Sequence, residues 1–121
     1  MVKFKRLLKS FKYAFRGIGK LLKKEQNFRV HLIFGAIAVI LGVYFQLQRW
    51  EWVVIVLMIA LVFTMEILNT VFERLTDMLK PRVHQYVAEI KDVMSAAVLI
   101  AAITSIIIGL IIFTPYFLEL N

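Results

Sequence analysis

The sequence predicts an all-α membrane protein with an N-terminal amphipathic surface helix and three transmembrane helices. Three observations carry this prediction. Of the 121 residues, 61% are hydrophobic, against about 45–50% in soluble domains. Three long stretches are almost free of charge, and the first 30 residues hold ten Lys and Arg against one acid, Glu25. Because there is no cysteine, a disulfide framework, a thiolate nucleophile and an iron–sulfur centre are excluded.

Residues 1–24 are predicted to form a helix that lies in the membrane interface. Their apolar residues recur at steps of three and four, and Lys and Arg fill the other face. This pattern is typical of an interfacial amphipathic helix, although it also suits a helix packed on a soluble partner. Charge along the whole segment excludes a cleavable signal peptide. Since the basic segment also has an apolar face, the expected partner is anionic lipid and not nucleic acid.

The remaining residues are predicted to cross the bilayer three times within a single membrane domain, 1–121. Each apolar stretch comes close to or exceeds the ~20 residues that span ~30 Å of hydrocarbon. Trp50 and Trp52 suit the interface at the first turn, and Pro81 should end the helix that leaves the second span. The expected segments are span 1 at 29–48, span 2 at 52–73, a connection at 74–91 and span 3 at 92–118.

The distribution of Lys and Arg predicts the orientation in a bacterial plasma membrane. The N-terminal segment carries ten such residues and the stretch 74–92 four, whereas the 49–51 turn has one and the tail after Leu118 none. By the positive-inside rule, the N-terminus and the 74–91 connection are cytoplasmic, and the short turn and the C-terminus are outside.

Small residues repeat every four positions in span 3, from Ala97 through Ala101 and Ser105 to Gly109. Such ridges let helices approach closely in lipid. They serve packing within one chain or an interface between subunits. Because three helices make a thin wall for a polar site, we expect a homo-oligomer.

Span 2 contains polar residues at a depth where they are costly. Glu66, Asn69, Glu73 and Asp77 stand at offsets of 0, 3, 7 and 11, which places them within about 80° of arc on one helix face. A carboxylate within the membrane costs at least ~2.5–3.5 kcal/mol on insertion scales, so Glu66 needs an internal partner or a function.

The predicted topology brings further acids to the same membrane face. Glu25 lies at the start of span 1, and Lys91 and Asp92 at the start of span 3. Mg²⁺ takes one or two carboxylates and completes its shell with water and phosphate oxygens, which suits Glu25 and Glu73. A metal, a lysine and a base near a hydroxyl are the parts of phosphoryl transfer. No Walker A or protein-kinase motif occurs.

The two histidines form no metal-binding pair. His31 is interpreted as a packing residue at a helix end, and His84 as a loop residue that could touch nucleotide.

Two motifs are specific enough to name a family. Residues 66–73 read E-I-L-N-T-V-F-E, followed by Asp77, and residues 91–98 read K-D-V-M-S-A-A-V. They resemble the E-x-x-N-[ST]-A-I-E…D and A-K-D signatures of the small prokaryotic integral-membrane diacylglycerol kinase family. Residues 25–31, E-Q-N-F-R-V-H, resemble the segment of the Gram-positive branch, whose members phosphorylate undecaprenol. The resemblance implies a homotrimer that uses Mg²⁺ and ATP.

The resemblance also implies roles for individual residues. Glu66 matches the general base, Asn69 a residue that orients the γ-phosphate, and Glu25 and Glu73 the metal ligands. The matched ATP-binding positions are Arg6, Tyr13, Asp77, Lys91 and Asp92, with His84 as a further candidate. The expected lipid-binding residues are Asn27, Arg29 and Ser95.

Departures from the family pattern bear on the lipid acceptor. Val71 and Phe72 replace Ala and Ile, Ile90 replaces Ala, and Met94 replaces a small residue. None removes a chemical group, but bulk beside Lys91 could reshape the acceptor channel. The predicted function is therefore an ATP-dependent kinase of undecaprenol, a polyprenyl alcohol, with diacylglycerol as the alternative acceptor. A small transport or proton-relay protein and a structural membrane subunit are the alternatives of other classes.

Overall fold

The computed structural model describes residues 1–79 and 84–120, and its regular elements within these ranges are all α-helices. Three of its helices are long and apolar enough to cross a membrane: Gln26–Phe45, Arg49–Leu79 and Gln85–Glu119. The predicted all-α class with three spans is confirmed. The helices are α1 (Phe4–Lys24), α2 (Gln26–Phe45), α3 (Arg49–Leu79) and α4 (His84–Glu119). Pro81 lies outside the described residues.

A single extended residue, Glu25, separates α1 from α2, with φ −110° and ψ 109°. Its N–H donates to the carbonyl of Leu21 at 2.9 Å. Arg29, one turn into α2, donates from Nη1 to the carbonyls of Leu22 at 2.9 Å and Lys23 at 3.1 Å. These carbonyls have no partner within α1, so Arg29 caps α1 and holds the corner at which Glu25 stands.

The turn between α2 and α3 is tight and well bonded. Gln46 ends α2 in the left-handed region, with φ 55°, and the N–H of Leu47 donates to the carbonyl of Gly42 at 3.1 Å. A Cβ atom on Gly42 would lie 2.7 Å from Cη2 of Trp52. Because real Cβ contacts are essentially never this short, glycine is what allows α3 to pack here.

The best-packed apolar core lies beside this turn, at the end of the bundle that we call the turn end. Leu47, Ile55, Ile112 and Phe113 are buried together. The ring of Phe45 packs between α2 and α4, 4.9 Å from the ring of Phe117 by centroids. The opposite end, where α2 begins and α3 ends, is called the carboxylate end because it carries Glu25, Glu66 and Glu73.

Helix α3 packs most extensively against α4 and also against α2. Large apolar side chains nevertheless stay exposed on the outer faces, as at Ile40 (66%), Leu57 (62%) and Ile111 (68%). In a water-soluble monomer such surfaces would be a liability. They suit a bundle that is surrounded by lipid or by further subunits.

Candidate active site

Glu66 is a buried carboxyl group inside α3, with 2% of the residue exposed. Its Oε2 atom lies 3.4 Å from Nε2 of His31 on α2. Within the described residues, this oxygen has no hydrogen-bond partner of good geometry. A buried carboxylate without a full set of partners is costly in a membrane, and this marks Glu66 as a functional candidate.

Two neighbouring threonines of α3 keep their polar groups satisfied within the helix. The hydroxyl of Thr70 donates to the carbonyl of Glu66 at 3.2 Å, and that of Thr76 to the carbonyl of Glu73 at 2.9 Å. Their hydroxyl protons are thereby turned to the backbone, and neither donates to the Glu66 carboxylate. The charges of Glu25 and Glu73 act on that carboxylate from the same end of the bundle.

A polar cleft of about 210 Å³ opens between α3 and α4 at the carboxylate end. Asn69 and Glu73 line it from α3 at a spacing of four residues, so they share one helix face. Lys91 and Ser95 line it from α4 at the same spacing. The structure thus brings together four of the predicted site residues, an amide, a carboxylate, an ammonium group and a hydroxyl.

Phe72 and Met94 complete the lining of the cleft. Both are positions at which the chain departs from the family pattern, and both add apolar surface beside the polar groups. Ile90, the other bulky replacement near Lys91, does not line the cleft. The cleft therefore presents polar and apolar side chains next to one another.

Two ion pairs tie the helices together around the cleft. Nζ of Lys91 lies 2.6 Å from Oδ1 of Asp77 and joins α4 to α3. Nη2 of Arg74 lies 3.5 Å from Oε1 of Glu25 and joins α3 to the corner before α2. Because Arg74 follows Glu73 directly, this second pair places Glu25 at the same end of the bundle as Glu73.

Several other predicted site residues with described side chains do not line the cleft in this chain. Arg6 and Tyr13 are exposed on α1, where the guanidinium of Arg16 stands 5.8 Å from the centroid of the Tyr13 ring. Asn27 and Asp92 are exposed and do not line the cleft. Arg29 is engaged in capping α1, as described above. His84, predicted as a loop residue, is instead the first residue of α4, and its side chain lies outside the described residues.

A preformed metal cage is not found within residues 1–79 and 84–120, where no three His, Cys, Asp or Glu side chains converge suitably. Mg²⁺ does not require such a cage, because it binds through one or two carboxylates together with substrate phosphates and water. Glu25 and Glu73 supply carboxylates at one end of the bundle, beside the cleft that holds Lys91. The donor set fits a metal that arrives with a nucleotide.

Sequence reasoning missed two contributors to this end of the bundle. His31 is interpreted from sequence as a packing residue, yet it contacts Glu66. The available signal was that His31 within residues 30–48, and Glu66 within residues 52–72, is the only Asp, Glu, His, Lys or Arg. Arg74 appeared only in the charge count, and it pairs with Glu25. No sequence pattern pointed to that pair.

Comparisons with known proteins identify the family of this chain. The model of a family described as prokaryotic diacylglycerol kinase matches residues 12–113. The chain is 37% identical over 110 residues to the undecaprenol kinase of Bacillus subtilis, which covers 91% of this chain and 89% of that protein. It is 33% identical over 115 residues to the diacylglycerol kinase of Synechocystis, covering 94% of this chain and 66% of that protein. To the diacylglycerol kinase of Escherichia coli K12 it is 29% identical over 114 residues, with 94% and 93% covered. The chain therefore belongs to the prokaryotic diacylglycerol kinase family.

Proposed function

We propose that this protein is an ATP-dependent lipid kinase that phosphorylates the hydroxyl group of undecaprenol at the cytoplasmic face of a bacterial plasma membrane. The observation that carries the proposal is the cleft that joins Asn69, Glu73, Lys91 and Ser95 at the end of the bundle where Glu66 is buried. Kinase relatives support the reaction class, and the undecaprenol kinase relative, at 37% identity, supports the acceptor.

In the proposed reaction, Glu66 accepts the proton of the lipid hydroxyl. The hydroxyl oxygen forms a bond to the γ-phosphorus of ATP, the bond to the β–γ bridging oxygen breaks, and ADP leaves. Burial of Glu66 keeps water from competing as the acceptor. Asn69 orients the γ-phosphate, and the ammonium group of Lys91 offsets the negative charge on the phosphate oxygens.

The nucleotide and metal roles of the other residues are proposed from the resemblance of the sequence motifs to the family. Glu25 and Glu73 would hold Mg²⁺, which would neutralise charge on the phosphates when bound. The ion pair of Lys91 with Asp77 fixes the lysine beside the cleft. Asp77 and Asp92 seat the nucleoside, and the remaining proposed ATP contacts are Arg6, Tyr13 and His84.

The acceptor lipid is proposed to lie where the cleft meets the exposed apolar faces of the helices. Ser95 contacts its headgroup, and Phe72 and Met94 contact the first carbons of its chain. Asn27 and Arg29 are proposed lipid contacts at the corner between α1 and α2. Nη1 of Arg29 donates to the last carbonyls of α1. The guanidinium has further N–H donors that can contact the lipid.

We also propose the arrangement in the membrane. The chain forms one membrane domain, with α1 on the cytoplasmic surface, the carboxylate end facing the cytoplasm and the C-terminus outside. The exposure of nearly all of α1 and the basic charge before residue 30 support this arrangement. A homotrimer would complete the thin wall of the site, and the open space beside Gly109 leaves room for a neighbouring helix.

Diacylglycerol is the second candidate acceptor, because the relatives from Synechocystis and Escherichia coli are named diacylglycerol kinases. Both lipids present a hydroxyl at the interface on an apolar body. The distinction therefore depends on a direct competition between them.

The test gives purified protein γ-labelled ATP and Mg²⁺ in detergent with equal mole fractions of undecaprenol and diacylglycerol. Undecaprenyl acetate, which has no free hydroxyl, is the matched control. We expect preferential labelling of undecaprenol and none of the acetate. Labelling of diacylglycerol alone would overturn the acceptor, and labelling of neither lipid would overturn the kinase proposal in favour of a transport or structural role.

A further inference from the structure

His31, on α2, lies beside the buried Glu66 carboxylate on α3. Its side chain is 20% exposed, whereas that of Glu66 is 3% exposed. The imidazole also lines an apolar groove of about 310 Å³ that runs between α2, α3 and α4. Among the described residues lining this groove, Ser105 is the one other polar side chain. The Ser105 hydroxyl donates to the carbonyl of Ala102 at 2.7 Å, so it is committed to its own helix.

The charges around Glu66 are unbalanced without the imidazole. Glu25 and Glu73 both repel the Glu66 carboxylate, and the attraction comes from His31. Two cations of this end are engaged elsewhere, since Arg74 pairs with Glu25 and Lys91 with Asp77. A hydrogen-bond donor to the charged form favours a carboxylate that is under such repulsion.

The backbone around His31 is held in place by contacts with both neighbouring helices. It lies in the second turn of α2, and two residues earlier Arg29 ties α2 to the last carbonyls of α1. Phe28, on the previous turn, is buried and its ring lies 5.2 Å from the ring of Phe63 on α3 by centroids. The first two turns of α2 are thus docked on both neighbours, and the imidazole has a defined position relative to α3.

We propose that His31 is a positioning residue for Glu66, donating from Nε2–H to Oε2 so that Oε1 is aimed at the lipid hydroxyl. This inference rests on the proposed kinase function. The present separation of 3.4 Å exceeds the ~2.7–2.9 Å of a charge-assisted hydrogen bond, and such contacts tighten when substrate is bound. The hydroxyl proton moves to Oε1, the imidazole keeps its own proton throughout, and the new bond is that between the lipid oxygen and phosphorus.

The kinetic test compares His31→Ala with His31→Gln, whose amide N–H reaches a position close to that of Nε2. We expect His31→Ala to lower kcat by about 10- to 100-fold, the range found when a supporting partner of a functional side chain is lost. The KM for ATP should stay within about two-fold of the wild-type value, because His31 does not line the polar cleft between α3 and α4. His31→Gln should recover most of kcat. Ser105→Ala, which changes the other polar group of the same groove, is the matched control and should keep the wild-type kcat.

Two outcomes would overturn the proposal. One is a wild-type kcat for His31→Ala. The other is an equal loss of kcat in His31→Ala and His31→Gln together with an equal loss of thermal stability, since that result assigns His31 to packing alone. An inactive wild-type protein would instead overturn the proposed function on which the inference rests.

A measurement without substrate tests the pair itself. The imidazole ¹⁵N resonances of the wild type are compared with those of Glu66→Gln in detergent micelles, with His84→Asn used to assign the two histidines. We expect the Nε2 resonance of His31 to shift in Glu66→Gln while that of His84 stays in place. An unchanged His31 resonance would overturn the contact, whatever the activity of the protein.

Discussion

Glu51, at the turn end, is a second buried carboxyl group, with 6% of the residue exposed, and it gives a sharp prediction about stability. Its Oε1 accepts a hydrogen bond from the N–H of Gln48 at 3.0 Å, at the start of α3. The same oxygen accepts a short hydrogen bond from the hydroxyl of Tyr116 on α4. One oxygen atom therefore caps α3 and ties it to the last turns of α4.

The magnitude of a Glu51→Ala substitution follows from these two bonds. Loss of the helix cap costs about 1 kcal/mol. Loss of an interhelical hydrogen bond in a membrane protein costs about 0.6–1.7 kcal/mol. We therefore expect Glu51→Ala to lower the free energy of unfolding by about 2 kcal/mol. Tyr116→Phe, which removes the second bond alone, should cost about 1 kcal/mol. Glu51→Gln keeps an acceptor oxygen and should lie between Glu51→Ala and the wild type.

Unfolding in mixed micelles of increasing denaturing detergent, followed by far-UV circular dichroism at fixed protein concentration, measures these differences. In the double variant, Glu51→Ala with Tyr116→Phe, the free energy of unfolding should lie within about 0.5 kcal/mol of that of Glu51→Ala. The reason is that the two residues share one hydrogen bond, which either substitution removes. Full additivity would refute the shared bond. A free energy of unfolding for Glu51→Ala within about 0.5 kcal/mol of the wild type would refute the reasoning as a whole.

Three further substitutions test the turn and the cleft. Gly42→Ala forces a Cβ atom to 2.7 Å from the Trp52 ring and should lower the free energy of unfolding by about 1–3 kcal/mol in the same assay. Gly17→Ala on α1, where a Cβ meets open space, is the control and should not lower it. Equal effects of the two substitutions would contradict the close packing at Gly42. Gln46→Gly relieves a left-handed residue, φ 55°, and should stabilise by about 1 kcal/mol; a loss of stability would show that the side chain of Gln46 matters more than its backbone. Met94→Ala widens the cleft and should change the ratio of undecaprenol to diacylglycerol labelling, with less effect on the KM for ATP. A changed KM for ATP at an unchanged labelling ratio would show that Met94 contacts the nucleotide rather than the lipid.

The existence of the spans could be predicted because it depends on the length of uncharged sequence alone. The extent of the helices depends on more than that. Helix α3 continues through Glu73 and Asp77 to Leu79, and α4 is already helical at Gln85, so polar residues extend both helices beyond the apolar stretches. In these polar extensions, side-chain pairs such as Lys91 with Asp77 link α3 and α4. The hydropathy of the sequence does not predict such pairs.

Part of the candidate site follows from helix periodicity and part from packing. Asn69 with Glu73, and Lys91 with Ser95, share a face because each pair is four residues apart. That the two faces meet in one cleft depends on how α3 and α4 are rotated about their axes, which a single sequence does not encode in its spacing. The contact of His31 with Glu66 depends on the rotation of α2 in the same way.

The central claim is that the chemistry takes place at the carboxylate end, with Glu66 as the base. Its most direct test is the initial rate of phosphate transfer to the lipid in Glu66→Gln and in Glu51→Gln, two matched changes of a buried carboxyl group at opposite ends of the bundle. We predict a loss of about 10²- to 10⁴-fold for Glu66→Gln, with helical content and assembly retained, and a rate within a few-fold of the wild type for Glu51→Gln. Wild-type turnover in Glu66→Gln would contradict the account.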